Sequence, residues 1–360
     1  MRKAFFAGPL PPPVHGFAVI NGHMLAGLQQ SGAQVETFDL APRSFVAPLL
    51  KWFVYLAAVL KPSNAAGRTL YLPISGGIRQ LVDLAFAVPA KWLGFSVFVH
   101  HHSFAYLNAK PWFSRFAFSI LKEATHIVLC PAMGRRLCEQ YGIAPAQVRV
   151  LSNAAFLEIG IDAVDLVSAP SSRLTLGFLS NITAEKGIFS FFDALDGLSA
   201  QGIPFKALIA GPVSPEVKAQ FDARLAATAD AQHVGAVYGA AKDQFFGQLD
   251  LLLFPTLYAN EAEPVTLWEA MAHGVPVIAL QRGCIQGIVP ADAGRVVLDP
   301  GAFASAVAEE VSAMSKSPAL LESRRTAARV AFEVARLESR KVLKNLLHEM
   351  TGSVVEVTQK

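Results

Sequence analysis

Two glutamates, Glu261 and Glu269, stand in the stretch Phe254-Pro-Thr-Leu-Tyr-Ala-Asn-Glu261-Ala-Glu263-Pro264-Val-Thr-Leu-Trp-Glu269-Ala-Met-Ala-His-Gly274-Val-Pro-Val-Ile. Pro264 suits the first turn of a helix and Gly274 its stop. Glu261 then falls in the loop after a strand at 251–254, and Glu269 about a turn and a half into the helix. Between them, the backbone amides around Glu263–Thr266 form an open helix N-terminus, which favours an anion by hydrogen bonding and by the macrodipole. Carboxylates accept from hydroxyls and amides hold phosphate, a combination suited to a sugar nucleotide. The plainer alternative is a pair of solvated carboxylates beside a helix start.

Three further stretches offer chemistry. In Gly177-Phe-Leu-Ser-Asn181-Ile-Thr-Ala-Glu185-Lys186-Gly187, at the end of a strand, Lys186 is a cation able to meet a diphosphate and stabilise a leaving group, or else a surface lysine. In Gly8-Pro-Leu-Pro-Pro-Pro-Val-His15-Gly16, directly after the first strand, Gly16 opens a helical run and lets backbone approach a ligand, though a rigid turn would read the same. No G-x-G-x-x-G occurs, which weakens a dinucleotide-dependent dehydrogenase. In Val97-Phe-Val-His100-His101-His102, the alternation of a strand puts His100 and His102 on one face and His101 on the other. Sugar contact, a structural cluster and a zinc site are the alternatives for these histidines, and no spacing supplies the remaining zinc ligands.

These groups need strands to carry them. Short apolar runs alternate with helical periods at Lys3–Ala7, Val35–Phe38, Thr69–Leu72, Ser96–His100, His126–Cys130 and Arg149–Leu151. The pattern restarts after the Pro/Ser-rich stretch 168–172 with Leu174–Leu179, Lys206–Ile209, His233–Val237, Leu251–Phe254, Val275–Leu280 and Gly294–Val297. Two α/β parallel sheets in tandem are expected, followed by a helical segment from about Ala302 to Leu347. The chain has 360 residues, 52% hydrophobic and 16% charged, which excludes a disordered, collagen-like or coiled-coil protein. A net charge of +3 is too small for a protein whose main partner is nucleic acid. The apolar run at the N-terminus is short for a signal peptide, and Trp52–Leu60 is short against the roughly 20 residues of a spanning helix, so a cytoplasmic protein is expected.

Glu261-x7-Glu269 followed by Ala-Met-Ala-x-Gly-x-Pro-Val resembles the signature of the retaining glycosyltransferases of family 4, which have the GT-B fold. The Lys186 loop, the His strand end, Val150-Leu-Ser-Asn153, Ala210-Gly211-Pro212 and Gly283-Cys-Ile-Gln-Gly287 resemble other segments of the family. The resemblance implies two facing Rossmann-like domains with a cleft between them: residues 1–168 binding the acceptor and 169–335 the donor, with a helix at about 336–360 packing back on the first. It implies catalytic roles for Glu261, His102 and Lys186. Donor contacts fall on Gly16, Asn181, Lys186, Gly211, Pro212, Glu261, Ala262, Glu263, Pro264, Val265 and Glu269, with Glu269 on the ribose hydroxyls. Two positions depart from the family: Asn181 stands where an Arg is usual, and Gly287 where a Glu is frequent.

The activity implied is retaining transfer of a hexosyl group from a nucleotide diphosphate sugar to an acceptor hydroxyl, as in bacterial polysaccharide or glycolipid assembly. No Asp-x-Asp occurs, so no metal or other cofactor is expected. A nucleotide-sugar epimerase and a non-catalytic sugar-nucleotide-binding subunit are the alternatives. The partners expected are the donor and a carbohydrate or lipid-linked acceptor. Residues 1–168 carry 14 Lys/Arg against 8 Asp/Glu, with aromatics at Trp52, Phe53, Tyr55, Trp112, Phe113, Phe116 and Phe118. That balance suits peripheral contact with an anionic inner leaflet, the alternative being that these aromatics are core.

Overall fold

The structure is a computed structural model. It describes residues 3–12, 16–41, 47–62, 67–158 and 173–352, with the side chains of 47–49 left aside. The stretch 168–172, the 168/169 boundary, Pro13–His15 and residues 353–360 lie outside the described residues. The chain divides into two compact units, Met1–Phe156 with Arg336–Lys360, and Leu157–Ala335.

The first unit holds a six-stranded sheet of β1 (Lys3–Gly8), β2 (Gln34–Asp39), β3 (Arg68–Ile74), β4 (Ser96–His101), β5 (Thr125–Val128) and β6 (Val148–Val150), in the order β2-β1-β3-β4-β5-β6. All pairings are parallel. Each crossover carries a helix, so the central strands are covered on both faces and read as continuous apolar runs, such as Leu70-Tyr-Leu72 in β3. Phe5, Phe6, Tyr55, Tyr71, Phe86 and Phe118 are fully buried. Burial of each such ring is worth about 1.5–3 kcal/mol. Residues 336–351 close this unit as the end of the long helix Pro318–Thr351. Thr69 Oγ1 donates to the Met350 carbonyl at 2.8 Å, and the Leu347 side chain fills the space left at Gly27.

The second unit holds β7 (Leu174–Leu179), β8 (Phe205–Ala210), β9 (Ala231–His233), β10 (Leu251–Phe254), β11 (Val277–Leu280) and β12 (Gly294–Val297), in the order β12-β11-β10-β7-β8-β9. This sheet too is parallel throughout. Its core is built on Phe178, Phe191, Phe192 and Phe221 and is closed by the helix Phe303–Lys316 through Phe303, Val307 and Val311. Two six-stranded parallel sheets in Rossmann-like units fit the GT-B fold expected from the sequence.

Several element boundaries differ from the sequence reading, and four have a plain local cause. The strand expected at His233–Val237 runs Ala231–His233: the Val234 N–H still donates to the Ile209 carbonyl of β8, and Gly235, at φ +80°, then turns the chain out of the ladder. The strand expected to reach Cys130 stops at Val128, since Cys130 is already the cap of the helix Pro131–Tyr141. The helical segment from 302 is two helices, parted at Ser317 by Pro318, which has no N–H to continue the first. Pro264 is not inside its helix but caps it, with ψ 118°, and the helix runs Val265–Ala272.

Candidate functional site

In the second sheet β7 pairs with β8 on one side and β10 on the other, so the chain reverses its direction of progress across the sheet between β7 and β10. Loops leaving the carboxyl ends of such a strand pair part to opposite sides and leave a crevice, where open α/β sheets bind ligands. Lys186 lies in the loop after β7 and Glu261 in the loop after β10. Their side chains meet, Lys186 Nζ donating to Glu261 Oε2 at 2.6 Å, and both are only partly exposed.

Backbone contacts fix this meeting. The Leu257 N–H donates to the Glu185 carbonyl at 2.8 Å, tying one loop to the other. Gly187 follows Lys186 at φ +83°, and a Cβ there would lie 1.9 Å from the Pro255 carbonyl oxygen, so only glycine allows the approach. Thr256, fully buried, donates from Oγ1 to Glu261 Oε2 at 3.2 Å, and the Tyr258 ring lies under Lys186 with Nζ 5.0 Å from its centre. Behind Glu261, Gly283 at φ +46° packs against the Glu261 and Ala262 carbonyls, and the Cys284 N–H donates to Ala262 O at 2.8 Å. Gly187→Ala should therefore cost at least the roughly 1–2 kcal/mol of a left-handed alanine. It should also displace Lys186. A melting curve beside donor binding checks this, and an unchanged variant in both would refute the close approach.

The other sequence-named residues of this unit fall around the same strand ends. The Ser180 and Ile182 N–H groups donate to the Ala210 and Pro212 carbonyls, which sets exposed Asn181 beside Gly211 and Pro212. Ala262, Glu263, Pro264 and Val265 lead into the Val265–Ala272 helix. Glu263 is buried, and its Oε1 accepts from Trp268 Nε1 at 3.1 Å, so this segment offers a ligand backbone and not the Glu263 carboxylate. Nothing lies within 4 Å of a Cβ built on Gly287, so packing does not explain the missing side chain there.

One residue was missed by sequence reasoning. Lys242, on the helix Ala240–Gly247, donates from Nζ to Glu269 Oε1, and both side chains are partly buried. Each of the two glutamates thus has its own lysine. Lys242 sits in no motif, and no sequence signal singles it out.

In the first unit, Gly16 opens the helix Gly16–Gln30 after β1, and a Cβ on it would meet nothing within 4 Å. Phe17 lays its ring 4.8 Å from that of His102, at the end of β4. His100 and His102 share one face, their rings 4.0 Å apart, and His101 points to the other. The Nε2 atoms of His100 and His102 are buried and bond to nothing among the described residues.

On the opposite face the hydrogen bonds order themselves from one end. His126 Nε2 is 3.1 Å from the Leu121 carbonyl, which only accepts, so it carries the proton. Its Nδ1 then accepts from His101 Nε2 at 2.9 Å, and His101 Nδ1 accepts from the Tyr106 hydroxyl at 2.7 Å. Burial pushes His101 and His100 well below the ordinary histidine range, with neighbouring histidines adding to the effect. Burial takes His102 down to about 3 and His126 to about 4, the Leu121 carbonyl pulling His126 slightly the other way. All four are neutral at pH 7. Among the described residues no group of three or more His, Cys, Asp or Glu is placed to hold a metal ion.

Residues 167–331 match the family described as Glycosyl transferases group 1. No curated protein matches the chain by sequence. Among solved structures, Anabaena HepE in complex with UDP and glucose is similar over 96% of this chain and 99% of its own, at 14% identity and a TM-score of 0.69. Sucrose-phosphate synthase from Thermosynechococcus elongatus is similar over 97% and 100%, at 15% identity and a TM-score of 0.70. WaaG, a glycosyltransferase involved in lipopolysaccharide biosynthesis, is similar over 98% and 100%, at 13% identity and a TM-score of 0.65. At these identities the likeness is one of fold.

Proposed function

We propose that this glycosyltransferase moves a hexosyl group from a nucleotide diphosphate sugar to an acceptor hydroxyl with retention and without a metal, in bacterial polysaccharide or glycolipid assembly, as a member of family 4. The observation that carries the reading is the Lys186–Glu261 pair at the β7/β10 crevice. A part-buried lysine held on a carboxylate is a preorganised cation that a diphosphate can claim, leaving the carboxylate to accept from sugar hydroxyls. The group 1 match over this unit and the UDP-glucose held by Anabaena HepE support a nucleotide-sugar donor.

In this scheme Lys186, the helix-start amides of Val265 and Thr266 and the backbone at Asn181 hold the diphosphate, while Gly211, whose N–H is taken by the Gly235 carbonyl, and Pro212, which has no N–H, shape the loop beside it. The usual arginine is absent at Asn181, so Lys186 carries more of the charge. Glu269 takes the ribose hydroxyls, with Lys242 orienting its carboxylate. Gly16 and neutral His102 of the first unit take the donor-sugar roles that the family resemblance implies, and that unit binds the acceptor. As the glycosidic bond breaks, negative charge grows on the leaving phosphate beside Lys186. The acceptor hydroxyl attacks from the same face and gives its proton to that phosphate, so the anomeric configuration is kept and no enzyme-bound intermediate forms on Glu261.

A thermal-shift screen of UDP-, GDP- and ADP-sugars identifies the donor, since a tight ligand raises the melting temperature by mass action. Product analysis with that donor then gives anomeric configuration, in buffer with and without a chelator. An inverted product, or activity lost with the chelator, would overturn the scheme. Glu269→Ala should mainly raise the donor KM, because ribose contacts are alike in ground and transition states. Charge-assisted hydrogen bonds of about 1.5–3 kcal/mol correspond to a roughly 10- to 150-fold rise. A kcat loss with unchanged KM would contradict the role.

A further inference from the structure

The helix Gln80–Trp92 of the first unit packs between the helices Ala47–Leu60 and Trp112–Ile120. Hydrogen bonds lock the three together: Trp52 Nε1 donates to the Ala85 carbonyl, Tyr55 Oη to the Phe86 carbonyl and Ser114 Oγ to Gln80 Oε1. The outward stripes of such a layer are ordinarily charged. Here they are apolar. On the first helix Tyr55, Ala58 and Val59 face the core, and the solvent stripe at spacings of three and four is Leu50, Phe53, Val54, Ala57 and Leu60. The middle helix exposes Val82 and, at its end, Trp92, which is 85% exposed. The third exposes Trp112 and Phe116.

The charge around these stripes has one sign. Between residues 40 and 122 the sequence has nine Lys/Arg and one acid, Asp83. Asp83 is buried and accepts from Ser75 at 2.8 Å. Lys61, Arg115 and Lys122 are exposed beside the stripes and form no ion pair among the described residues. The next acid, Glu123, is exposed and accepts from Gln147.

We propose that this three-helix face docks on an anionic lipid surface, with Trp92, Trp112, Phe116 and Phe53 entering the headgroup boundary and Lys61, Arg115 and Lys122 resting on the anionic headgroups. Exposed tryptophans on helices with flanking cations are the composition of an interfacial anchor. A second copy of the chain is a poor occupant, since it would set cations against cations. Of the aromatics named from sequence, Tyr55 and Phe118 are buried and do not take part, while Trp92 joins them. The inference rests on the first unit alone and not on the donor chemistry proposed above.

The full chain is sedimented with vesicles of phosphatidylglycerol mixed with phosphatidylcholine, and with phosphatidylcholine alone. Binding is expected only to the mixed vesicles, weakening as salt rises past about 0.15 M, where the screening length is about 8 Å. Trp92→Ser with Trp112→Ser should lower partition by about tenfold or more. Each cation near such a surface is worth about fivefold, so Lys61→Gln, Arg115→Gln and Lys122→Gln together should lower it on the order of a hundredfold. Both variants should melt as the wild type does and keep its donor-induced thermal shift. The proposal fails if the wild type does not bind the mixed vesicles, if both variants bind like the wild type, or if the wild type is a dimer that the tryptophan variant dissolves. Vesicle binding without any donor-induced shift would leave the docking face standing and overturn the donor reading instead.

Discussion

Lys186→Ala should lower kcat by roughly 100- to 1000-fold, the effect of removing one preorganised group that meets charge developing in the transition state. Its assigned partner is a diphosphate whose charge grows as the glycosidic bond breaks, so the loss belongs in kcat and not only in KM. The structure adds a complication, because Lys186 also neutralises Glu261, whose side chain is 12% exposed. Removing the lysine alone leaves a part-buried carboxylate with the Thr256 hydroxyl as its neutral hydrogen-bond partner. Some loss of melting temperature is therefore expected in the single variant. Lys186→Ala with Glu261→Gln removes the unpaired charge, so stability should recover while kcat does not. Steady-state kinetics with the donor varied, beside melting curves of the three proteins, makes the comparison. Wild-type kcat in Lys186→Ala would refute the leaving-group role.

Acid should unfold the first unit early. His100, His101 and His126 are fully buried and held neutral below their ordinary range, whereas in the unfolded chain each titrates near 6.5. A base whose pKa is lowered on folding contributes stability that is complete above the unfolded value and is lost as pH falls below it. The loss runs from about 6.5 towards the folded values, about 4 for His126. Between pH 7 and 5 a histidine that stays neutral when folded forfeits about 2 kcal/mol, or about 6 kcal/mol for these three, and His102, taken down to about 3, adds in the same direction. Asp83 works the other way. Burial raises its carboxyl to about 6, against the pull of the Ser75 hydrogen bonds, so the folded state gains as pH falls through that value and returns about 1 kcal/mol over the same interval. A net loss of at least about 5 kcal/mol is comparable with the whole stability of many domains. Urea unfolding at pH 7, 6 and 5 measures it, and His126→Gln should flatten the curve by removing one of the three. Equal stability at pH 7 and pH 5 would contradict the neutral Tyr106–His101–His126 relay.

The sheet strands were legible because central strands of a parallel sheet are apolar on both faces, which marks them in any composition. The boundaries at Gly235, Cys130, Pro264 and Pro318 moved because they are set by local backbone choices that a periodicity does not contain. The alternation at His100, His101 and His102 was legible for the opposite reason, since a strand leaves neighbouring side chains no choice of face. Lys186 and Glu261 were named separately, 75 positions apart, and it is the strand order β10-β7 that brings them together.

Sequence by itself determined the two sheets, the glutamates at 261 and 269, the lysine at 186 and the basic first half of the chain. Tertiary structure alone decided that Lys242 serves Glu269, because a helix-borne lysine in no motif acquires its role only from what the fold sets opposite it. It also decided which aromatics are core. A helix that is apolar all round, as residues 52–60 are, specifies which residues share a face but carries no sign of which face a neighbour covers. Tyr55 went to the core and Phe53 to the surface because the helix Gln80–Trp92 packs on one side and nothing among the described residues of the first unit packs on the other.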